Sequence, residues 1–561
     1  MQLRPYQTDS IDGINEALAM SDSTLAVLAT GLGKTVVFSH AIKNRVIGKG
    51  RAMVIAHREE LIWQAASKIK AVTGEEPDVE MADFRADIGG WFGETQKKRV
   101  VVASVQTLNA GRGDGRVSKF NPSEFDLLVI DEAHHAVANS YRNVIDYFRQ
   151  NPKCKILGVT ATPDRADEEA LGKVFETVAI EYGILEGIKD GWLVPIEQTS
   201  VAVEGLDFSS IRTTAGDLNG ADLAAVMEYE HNLHEVAAPA IEIARGRKTL
   251  VFAASVNHAE RLCEILNRHK SECARWVSGE TPKDERRQMF ADYAAGRFQF
   301  LVNVGVATEG FDDPSIEVIV MARPTKSRSL YTQMAGRGTR PLPGIVDRWN
   351  EADMRRNAIK LSKKPAVEIV DFVGNCGKHK LICTADILGD SFEDDIIERA
   401  AKSAREAGKA VNMLDALEDA QAEKLREIEE AKAREAARRT HLRVNAKYSK
   451  ESVDAFDLLR IVPERAKGWD TARRPTDKMV AWLDKQGIEN PEKLPFRQAS
   501  QLIAELKDRF NTDKCTFKMA QTLSKFGYDP NTTFDGARRI IDGLAKNGWR
   551  RPDAPQNVRV Y

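Results

Sequence analysis

The chain has 561 residues, enough for three or four domains of ordinary size, which excludes a peptide or a lone binding module. Hydrophobic residues make up 42% of the chain and charged residues 29%, so the composition is that of a folded protein and excludes wholesale disorder. Lys and Arg number 81 against 83 Asp and Glu, and the net charge of −2 excludes a chain that is strongly basic throughout.

Six scattered cysteines are too few for a disulfide framework and predict a reducing compartment, so we expect a cytoplasmic protein. The first five residues, from Met1 to Pro5, contain no apolar stretch, and no apolar run of about 18 residues occurs anywhere. We therefore expect neither a signal peptide nor a membrane span.

Short β-branched runs alternate with helical patterns up to about residue 385, which predicts parallel sheets built from βαβ units. The predicted strands fall at residues 25–28, 52–56, 100–103, 127–130, 156–159, 249–252, 300–304, 318–322 and 367–370. They form two groups separated near residues 193–195. We therefore predict two α/β domains, 1–194 and 195–390, with a ligand cleft between them.

The chain after these domains has a different pattern. No Gly or Pro occurs between Gly408 and Pro463, and residues 418–439 are dense in Ala, Glu, Lys, Arg and Leu. This composition predicts a long exposed helix within a charged linker, 391–470. Because its charges mix both signs, a solvated spacer is favoured over a coiled-coil partner site.

The tail, residues 471–561, contains an internal repeat. Residues 476–488 recur 40 residues later as 516–528, and a helical stretch follows each copy, at 499–506 and 537–544. The tail holds 17 Lys and Arg against 11 Asp and Glu, a net charge of +6, which leaves −8 for the rest of the chain. A repeated basic helical module is typical of nucleic-acid binding, and a pair of packing modules is an equal alternative.

The first predicted strand leads into Ala-Thr-Gly-Leu-Gly-Lys-Thr at residues 29–35, before a helix predicted to start at Val36. The pattern indicates a phosphate-binding P-loop, although the strict motif has Gly where Leu28 stands. Lys34 would reach the terminal phosphates, and the Thr35 hydroxyl would ligate Mg²⁺. The nucleotide-binding residues would be Thr30, Gly31, Leu32, Gly33, Lys34 and Thr35.

Two acids follow the strand at 127–130. Asp131 would stand at the end of a strand beside the P-loop and could hold Mg²⁺, while Glu132 could orient the attacking water. Together with Ala133, His134 and His135, these two acids form a recognisable short motif, called here the acidic box. The alternative is ordinary solvation of two acids in a turn.

The P-loop and the acidic box, with further short segments in order, resemble the superfamily 2 helicases over most of residues 1–380. The segments are 3–7, 29–35, 56–61, 104–108, 131–134, 160–163, 250–253, 308–312 and 333–340. The resemblance implies an α/β fold with two tandem RecA-like parallel-sheet domains and a helical C-terminal extension. It also implies a nucleic-acid-stimulated ATPase that uses ATP and Mg²⁺.

The resemblance also implies residue roles. Arg4 and Gln7 would read the adenine, and Gly310 and Asp312 would also touch the nucleotide. Two arginines three apart on a helix are ordinarily a solvated face, but here they would stabilise charge on the γ-phosphate when the cleft closes. The catalytic residues would be Lys34, Asp131, Glu132, Gln333, Arg337 and Arg340.

Other residues would act on the nucleic acid or on coupling. By the same resemblance, the strand contacts would be His57, Arg58, Gln106, Thr107 and Thr308. The coupling residues would be His134, Thr160 and Thr162. Loop hydrogen bonding is the alternative role for the strand-contacting set.

RadD-like DNA repair helicases and phage-encoded homologues share the opening Leu-Arg-Pro-Tyr-Gln with this chain. We therefore expect a helicase or translocase acting on DNA in repair, recombination or phage replication, in a bacterial cell or a phage-infected host. Cys376, His379 and Cys383 lack the paired spacing of a zinc site, so zinc is not expected. The alternatives are a restriction or defence motor subunit, an RNA helicase, and a non-enzymatic scaffold, which the intact motif residues disfavour.

Overall fold

The computed structural model describes residues 3–46, 50–87, 97–111, 115–161, 168–214, 216–306, 311–389, 392–441, 455–464 and 474–549. The chain divides into two compact units. The first comprises Met1–Gly389 with Ile397–Leu417, and the second comprises Asp390–Ile396 with Glu418–Tyr561.

The first unit contains two seven-stranded sheets, and the first sheet is entirely parallel. Its strands are β1 (Ser23–Leu28), β2 (Ala52–Ala56), β3 (Asp78–Glu80), β4 (Val100–Ser104), β5 (Leu127–Asp131), β6 (Lys155–Thr160) and β7 (Thr177–Tyr182). They are ordered β3-β4-β2-β5-β6-β1-β7. The central strands are buried along their length because helices cover both faces of such a sheet, as their continuous apolar runs predict.

Short βα loops connect these strands to the surrounding helices. The helices are α1 (Pro5–Met20), α2 (Lys34–Val46), α3 (Glu59–Thr73), α4 (Val105–Asn109), α5 (Asn139–Phe148), α6 (Glu168–Gly172) and α7 (Ile184–Lys189). Short 3₁₀ helices lie at Arg116–Lys119, Pro122–Glu124 and Ala133–Val137. The α2 helix begins at Lys34, two residues before the predicted start, because the P-loop glycines complete the turn within the motif.

The second sheet is parallel except at one edge, where β16 is antiparallel to β8. Its strands are β8 (Ile196–Asp207), β11 (Thr249–Phe252), β12 (Ala274–Ser278), β13 (Phe300–Val304), β14 (Val318–Met321), β15 (Val367–Asn375) and β16 (Val411–Asn412). They are ordered β12-β13-β11-β14-β15-β8-β16. A small hairpin is formed by β9 (Thr213–Thr214) and β10 (Asp217–Leu218). The two sheets confirm the α/β fold with paired parallel-sheet domains.

The second lobe of the first unit consists of the second sheet, an apolar core that includes Phe208, Leu262 and Phe300, and the helices that accompany the sheet in the chain. They are α8 (Gly220–Met227), α9 (Glu230–Ala244), α10 (Val256–His269), α11 (Lys283–Ala294), α12 (Arg328–Gly336), α13 (Ala352–Lys360), α14 (Thr384–Leu388) and α15 (Asp394–Glu406). The predicted long helix is α16 (Met413–His441). Among the described helices, none is long and apolar enough to cross a membrane.

The tail repeat forms two equivalent pairs of helices. The helices are α17 (Ala455–Leu459), α18 (Asp477–Gln486), α19 (Phe496–Asn511), α20 (Phe517–Lys525) and α21 (Phe534–Lys546), with a short helix at Pro491–Lys493. Thr476 and Thr516 cap α18 and α20 in the same way, each accepting a hydrogen bond from the amide three residues on. The copies share one core, in which Leu483 and Leu523 occupy matching positions.

Candidate nucleotide site and strand-contacting edge

The P-loop joins the end of β1 to the start of α2. Gly31 and Gly33 have φ angles of 92° and 80°, in the left-handed region where a side chain is strained. A Cβ on Gly33 would stand only 2.7 Å from Gln7 Nε2, so this position requires glycine for space as well. The loop thus places the N-terminus of α2 and Lys34 at the cleft, the arrangement that binds phosphate.

The opening segment of the chain braces the P-loop from behind. The Tyr6 hydroxyl donates to the Leu32 carbonyl at 2.9 Å, and Gln7 Nε2 donates to the same oxygen at 3.2 Å. Gln7 Oε1 accepts from the Arg4 amide at 3.1 Å. Gln7, expected to read adenine, is therefore buried against the loop and fixes its shape.

The acidic box follows β5, and its two acids are both buried. Glu132 has a left-handed backbone with φ of 51°, an uncommon conformation that turns its side chain toward Lys34, whose Nζ lies 3.6 Å from Glu132 Oε1. Burial alone would raise the pKa of Glu132, but the Lys34 ammonium and His134 outweigh it and hold that pKa well below its usual range. Glu132 is therefore an anion that can accept a hydrogen bond from water.

His134 links the acidic box to the end of β6. Its Nδ1 lies 3.1 Å from Thr160 Oγ1 and 3.4 Å from Glu132 Oε2. This contact brings together two of the predicted coupling residues. The third, Thr162, lies outside the described residues, as do Thr308 and Gly310.

The two arginines of the second lobe lie beyond α12, which corrects the expectation that they share a helix. The helix ends at Gly336, and Arg337 is its C-cap, donating to the Phe311 carbonyl. Arg340 follows in the loop, with a side chain 24% exposed and in contact with Asp312. Just after the helix, Gly338 passes so close to β15 that a Cβ would stand 2.4 Å from Val367, so this position has no room for a side chain. Gln333 is buried within α12.

Arg340 meets the P-loop across the cleft. A Cβ on Gly31 would be 3.2 Å from Arg340 Cγ, and one on Gly336 would be 2.6 Å from Thr30 Cβ. Burial lowers the pKa of Arg340 to about 10, so the guanidinium stays charged at neutral pH. The buried Lys364 holds this loop, because its Nζ donates to the carbonyls of Arg340 at 2.8 Å and Pro314 at 2.7 Å.

A cleft of about 800 Å³ lies between the lobes, within the size range of sites for small molecules. The P-loop lines one side with Gly31, Gly33 and Thr35. Asp312, Arg337 and Arg340 line the other. The cleft therefore brings together predicted nucleotide-binding residues that are about 300 positions apart in the chain.

The predicted strand-contacting residues lie near the ends of β2 and β4. Arg58 donates to the Gly305 carbonyl of the other lobe at 2.9 Å, and Gln106 Nε2 donates to the His57 carbonyl at 3.1 Å. Thr107 is buried, and its hydroxyl accepts from the Ala82 amide at 3.1 Å. Thr107 thus supports a neighbouring loop, while His57, Arg58 and Gln106 lie at the rim.

Several residues at the seam between the lobes carry no motif and were missed from the sequence. Trp192 lies under two guanidiniums, with Arg355 Cζ 3.9 Å and Arg4 Cζ 4.9 Å from its ring centroid. Arg4 Nη2 also pairs with Asp347 at 2.8 Å. The sequence signal for this contact is weak: residues 347–356 contain three Arg and one Trp.

Two further ion pairs bridge the lobes beside the cleft. Lys283 lies 2.6 Å from Glu59, and Arg286 lies 2.8 Å from Glu60. They join the first turn of α3 to the first turn of α11.

Oxygen ligands that suit a divalent cation lie where the acidic box approaches the P-loop. Glu132 Oε2 is buried without a hydrogen bond from the described residues, and Asp131 is buried beside it. The Thr35 hydroxyl and the Asp131 carboxylate are oxygen ligands of the kind Mg²⁺ prefers. In the described ranges, no group of three or more His, Cys, Asp or Glu is placed to hold a metal, so a cation here would depend on Thr35, Asp131 and the nucleotide.

Two protein-family models match the chain in order. The model described as type III restriction enzyme, res subunit, matches residues 1–165. The model described as helicase conserved C-terminal domain matches residues 230–341. The first match contains the P-loop and the acidic box, and the second contains the two arginines.

Similar curated proteins include one from yeast, one from a phage and one from a bacterial restriction system. The chain is 35% identical over 60% of its length to a protein of Saccharomyces cerevisiae named as ATP-dependent helicase IRC3, covering 49% of that protein. It is 26% identical over 55% of its length to the 51.5 kDa protein of a Lactococcus phage, covering 61% of it. It is 26% identical over 60% of its length to the type I restriction enzyme EcoAI endonuclease subunit of Escherichia coli, covering 44% of it. The chain thus spans about half the length of these relatives, and it is similar over residues 1–165 and 230–341 to two family models that match in order.

Proposed function

We propose that the protein is an ATPase that is stimulated by nucleic acid and uses ATP hydrolysis to move along DNA. The observation that carries this proposal is the seam at Gly31, where the Arg340 side chain of one lobe packs against the P-loop of the other. A guanidinium in this position can stabilise charge developing on a transferred phosphoryl group. Hydrolysis is then tied to the relative position of the two lobes.

The residues of the cleft divide the chemistry among them. The α2 N-terminus and Lys34 would bind the phosphates, and the buried anion Glu132 would orient the attacking water. Thr35 and Asp131 would hold Mg²⁺, which when bound neutralises charge on the phosphate oxygens. Arg337 and Arg340 would complete the site from the second lobe.

DNA would cross the edge formed by His57, Arg58 and Gln106, held mainly through its phosphates. Binding through phosphates tolerates any sequence and weakens as salt rises. Because Arg58 contacts Gly305 across the lobes, a strand bound there would favour one arrangement of the lobes. Nucleic acid should therefore raise ATP turnover.

The test is steady-state ATP hydrolysis with single-stranded DNA, duplex DNA, forked DNA and RNA side by side. We expect DNA to stimulate turnover, and Lys34→Ala and Glu132→Gln to reduce it to background, with Glu132→Gln still binding ATP. Wild-type rates in either variant would refute the site assignment. Stimulation by RNA but not by DNA would show that the nucleic-acid partner is RNA.

A restriction motor is the second candidate function, since the first family model and the Escherichia coli relative both carry restriction names. Such a motor needs a nuclease, whose carboxylates usually hold metal ions. Apart from the acidic box beside the P-loop, the described residues offer no carboxylate site to assign to a nuclease, because no group of three or more His, Cys, Asp or Glu among them is placed to hold a metal. Cleavage of DNA by the purified chain with ATP and Mg²⁺ would favour this second function.

We also propose that the tail repeat adds phosphate contacts. Lys478, Lys485, Lys518 and Lys525 are exposed at equivalent positions of the two copies. Replacing all four with Gln should leave the fold intact and reduce the slope of log affinity against log salt by up to about 3. An unchanged slope would favour the packing interpretation of the tail.

The cysteines support a reducing compartment, and we propose the cytoplasm of a bacterial or phage-infected cell. All six cysteines are free thiols, and five of them are buried, as is usual for proteins kept in a reducing compartment.

A further inference from the structure

A small hollow opens beside the P-loop, on the side of the opening segment of the chain. Its volume is about 180 Å³, well below the ~300 Å³ or more of a whole ligand pocket, so it suits one part of a ligand. Gly31 and Arg340 line it where it meets the cleft, and Arg4, Trp192 and Asp347 line it further out. A nucleotide whose phosphates lie on the P-loop would direct its base here.

The polar groups of the hollow come from both lobes. Arg4 belongs to the first lobe, and its Nε and Nη2 lie 3.0 and 2.8 Å from a single oxygen of Asp347, Oδ1. Asp347 belongs to the segment after Arg340 in the second lobe. Oδ2 of this carboxylate has no hydrogen bond to the described residues and is available to a ligand.

The segment that carries Asp347 is fixed to the first lobe. Arg355 Nε donates to the Asp190 carbonyl at 2.7 Å, and its guanidinium lies over Trp192. Gly191 has φ of 70°, and a Cβ there would stand 2.8 Å from Arg355 Cβ, so the two chains approach closely. Asp347 is therefore held at the hollow by packing on both sides.

We propose that Asp347 is a specificity-determining residue that selects the 6-amino purine of ATP over the 6-oxo purine of GTP. A carboxylate only accepts hydrogen bonds. The exocyclic amino group of adenine donates one, whereas the corresponding carbonyl of guanine presents lone pairs to a negative charge. The inference rests on the proposed ATPase function and adds a base reader outside the motif segments named above, the last of which ends at residue 340.

The size of the effect follows from exposure. The Asp347 side chain is 55% exposed, so water competes for its oxygens and one hydrogen bond contributes modestly. We expect discrimination of about five- to tenfold, far below the roughly 10⁴-fold of a fully enclosed polar site.

The experiment measures kcat/KM for ATP and for GTP with saturating single-stranded DNA. Wild type should prefer ATP, and Asp347→Ala should lower that preference about five- to tenfold, mainly through KM for ATP. In Asp347→Asn the amide oxygen can stay on Arg4 while the amide nitrogen takes the place of Oδ2 and donates to guanine, so its preference for ATP should fall to that of Asp347→Ala or below. Inhibition by inorganic tripolyphosphate, which has no base, should be equal in all three proteins.

Asp353→Ala is the matched control, because Asp353 lies on the same segment, is 78% exposed and pairs only within its own helix with Arg356. It should keep the wild-type preference. An equal change for ATP and GTP in Asp347→Ala, an unchanged ratio, or a wild type that uses both nucleotides equally would overturn the inference. A wild type that hydrolyses neither nucleotide would instead refute the proposed function.

Discussion

Replacing Arg340 with Ala should remove most ATP turnover while leaving nucleotide binding largely intact. The side chain packs against Gly31 but lies beyond α12 in the other lobe, where it can act on charge that develops during hydrolysis. Such arginines contribute about 10³- to 10⁵-fold to kcat. Since Arg337 remains beside the cleft, we expect the lower end, about 10³-fold, which corresponds to about 4 kcal/mol.

The loss should be specific to the chemical step. The partner of Arg340, Asp312, is 57% exposed, so breaking this pair should cost little stability. Single-turnover hydrolysis and ATP binding by fluorescence titration separate kcat from affinity. Arg268→Ala, an exposed change in the last turn of α10, is the control and should behave as wild type. A kcat within threefold of wild type, or a loss of affinity with kcat unchanged, would refute the reasoning.

Two further predictions concern stability. Burial lowers the pKa of His258 from its usual 6.5 to about 4. Between pH 6.5 and pH 4 the unfolded chain therefore binds more protons than the folded chain, and the free energy of unfolding falls as the pH falls. This decrease in the free energy of unfolding is at most about 3 kcal/mol. Urea unfolding from pH 7 to pH 4 should therefore be less pH-dependent in His258→Asn, and equal slopes in both proteins would contradict this. Arg509 is fully buried and donates to the Cys515 and Pro530 carbonyls and to Asn531, so Arg509→Leu should destabilise the tail by about 3 kcal/mol and hasten its proteolysis, whereas exposed Arg538→Leu should not. Equal proteolysis rates for the two variants would count against a structural role for this arginine.

The nine strands foreseen from the sequence are mostly apolar and lie in the interior of the two sheets. The sheet strands that were missed lie mostly at edges, where polar residues interrupt the pattern. β7 is half-buried along its length and β12 contains an exposed Arg275, so neither shows a clean period. β8 was missed because Glu197, Gln198 and Ser200 break its apolar run.

Site residues that lie close together in the sequence were predicted, whereas residues that meet only in the folded chain were missed. The P-loop and the acidic box are contiguous in sequence, so their glycines and acids identify them directly. Asp347 and Arg4 are 343 positions apart, and no spacing rule connects them. Gln7 shows the converse, since its motif was recognised but its burial behind Leu32 follows only from tertiary packing.

The ion pairs from Glu59 to Lys283 and from Glu60 to Arg286 have a consequence for how salt effects are interpreted. The Lys283 side chain is 62% exposed and that of Glu60 is 43% exposed, so added electrolyte weakens the bridges between α3 and α11 even when no polynucleotide is present. When the affinity for nucleic acid is measured against ionic strength, the slope therefore contains two contributions. One is counterion release from the nucleic acid, and the other is weakening of the contact between α3 and α11. A count of contacted phosphates taken from the raw slope would be too high, and a Glu59→Gln, Glu60→Gln background provides the correction.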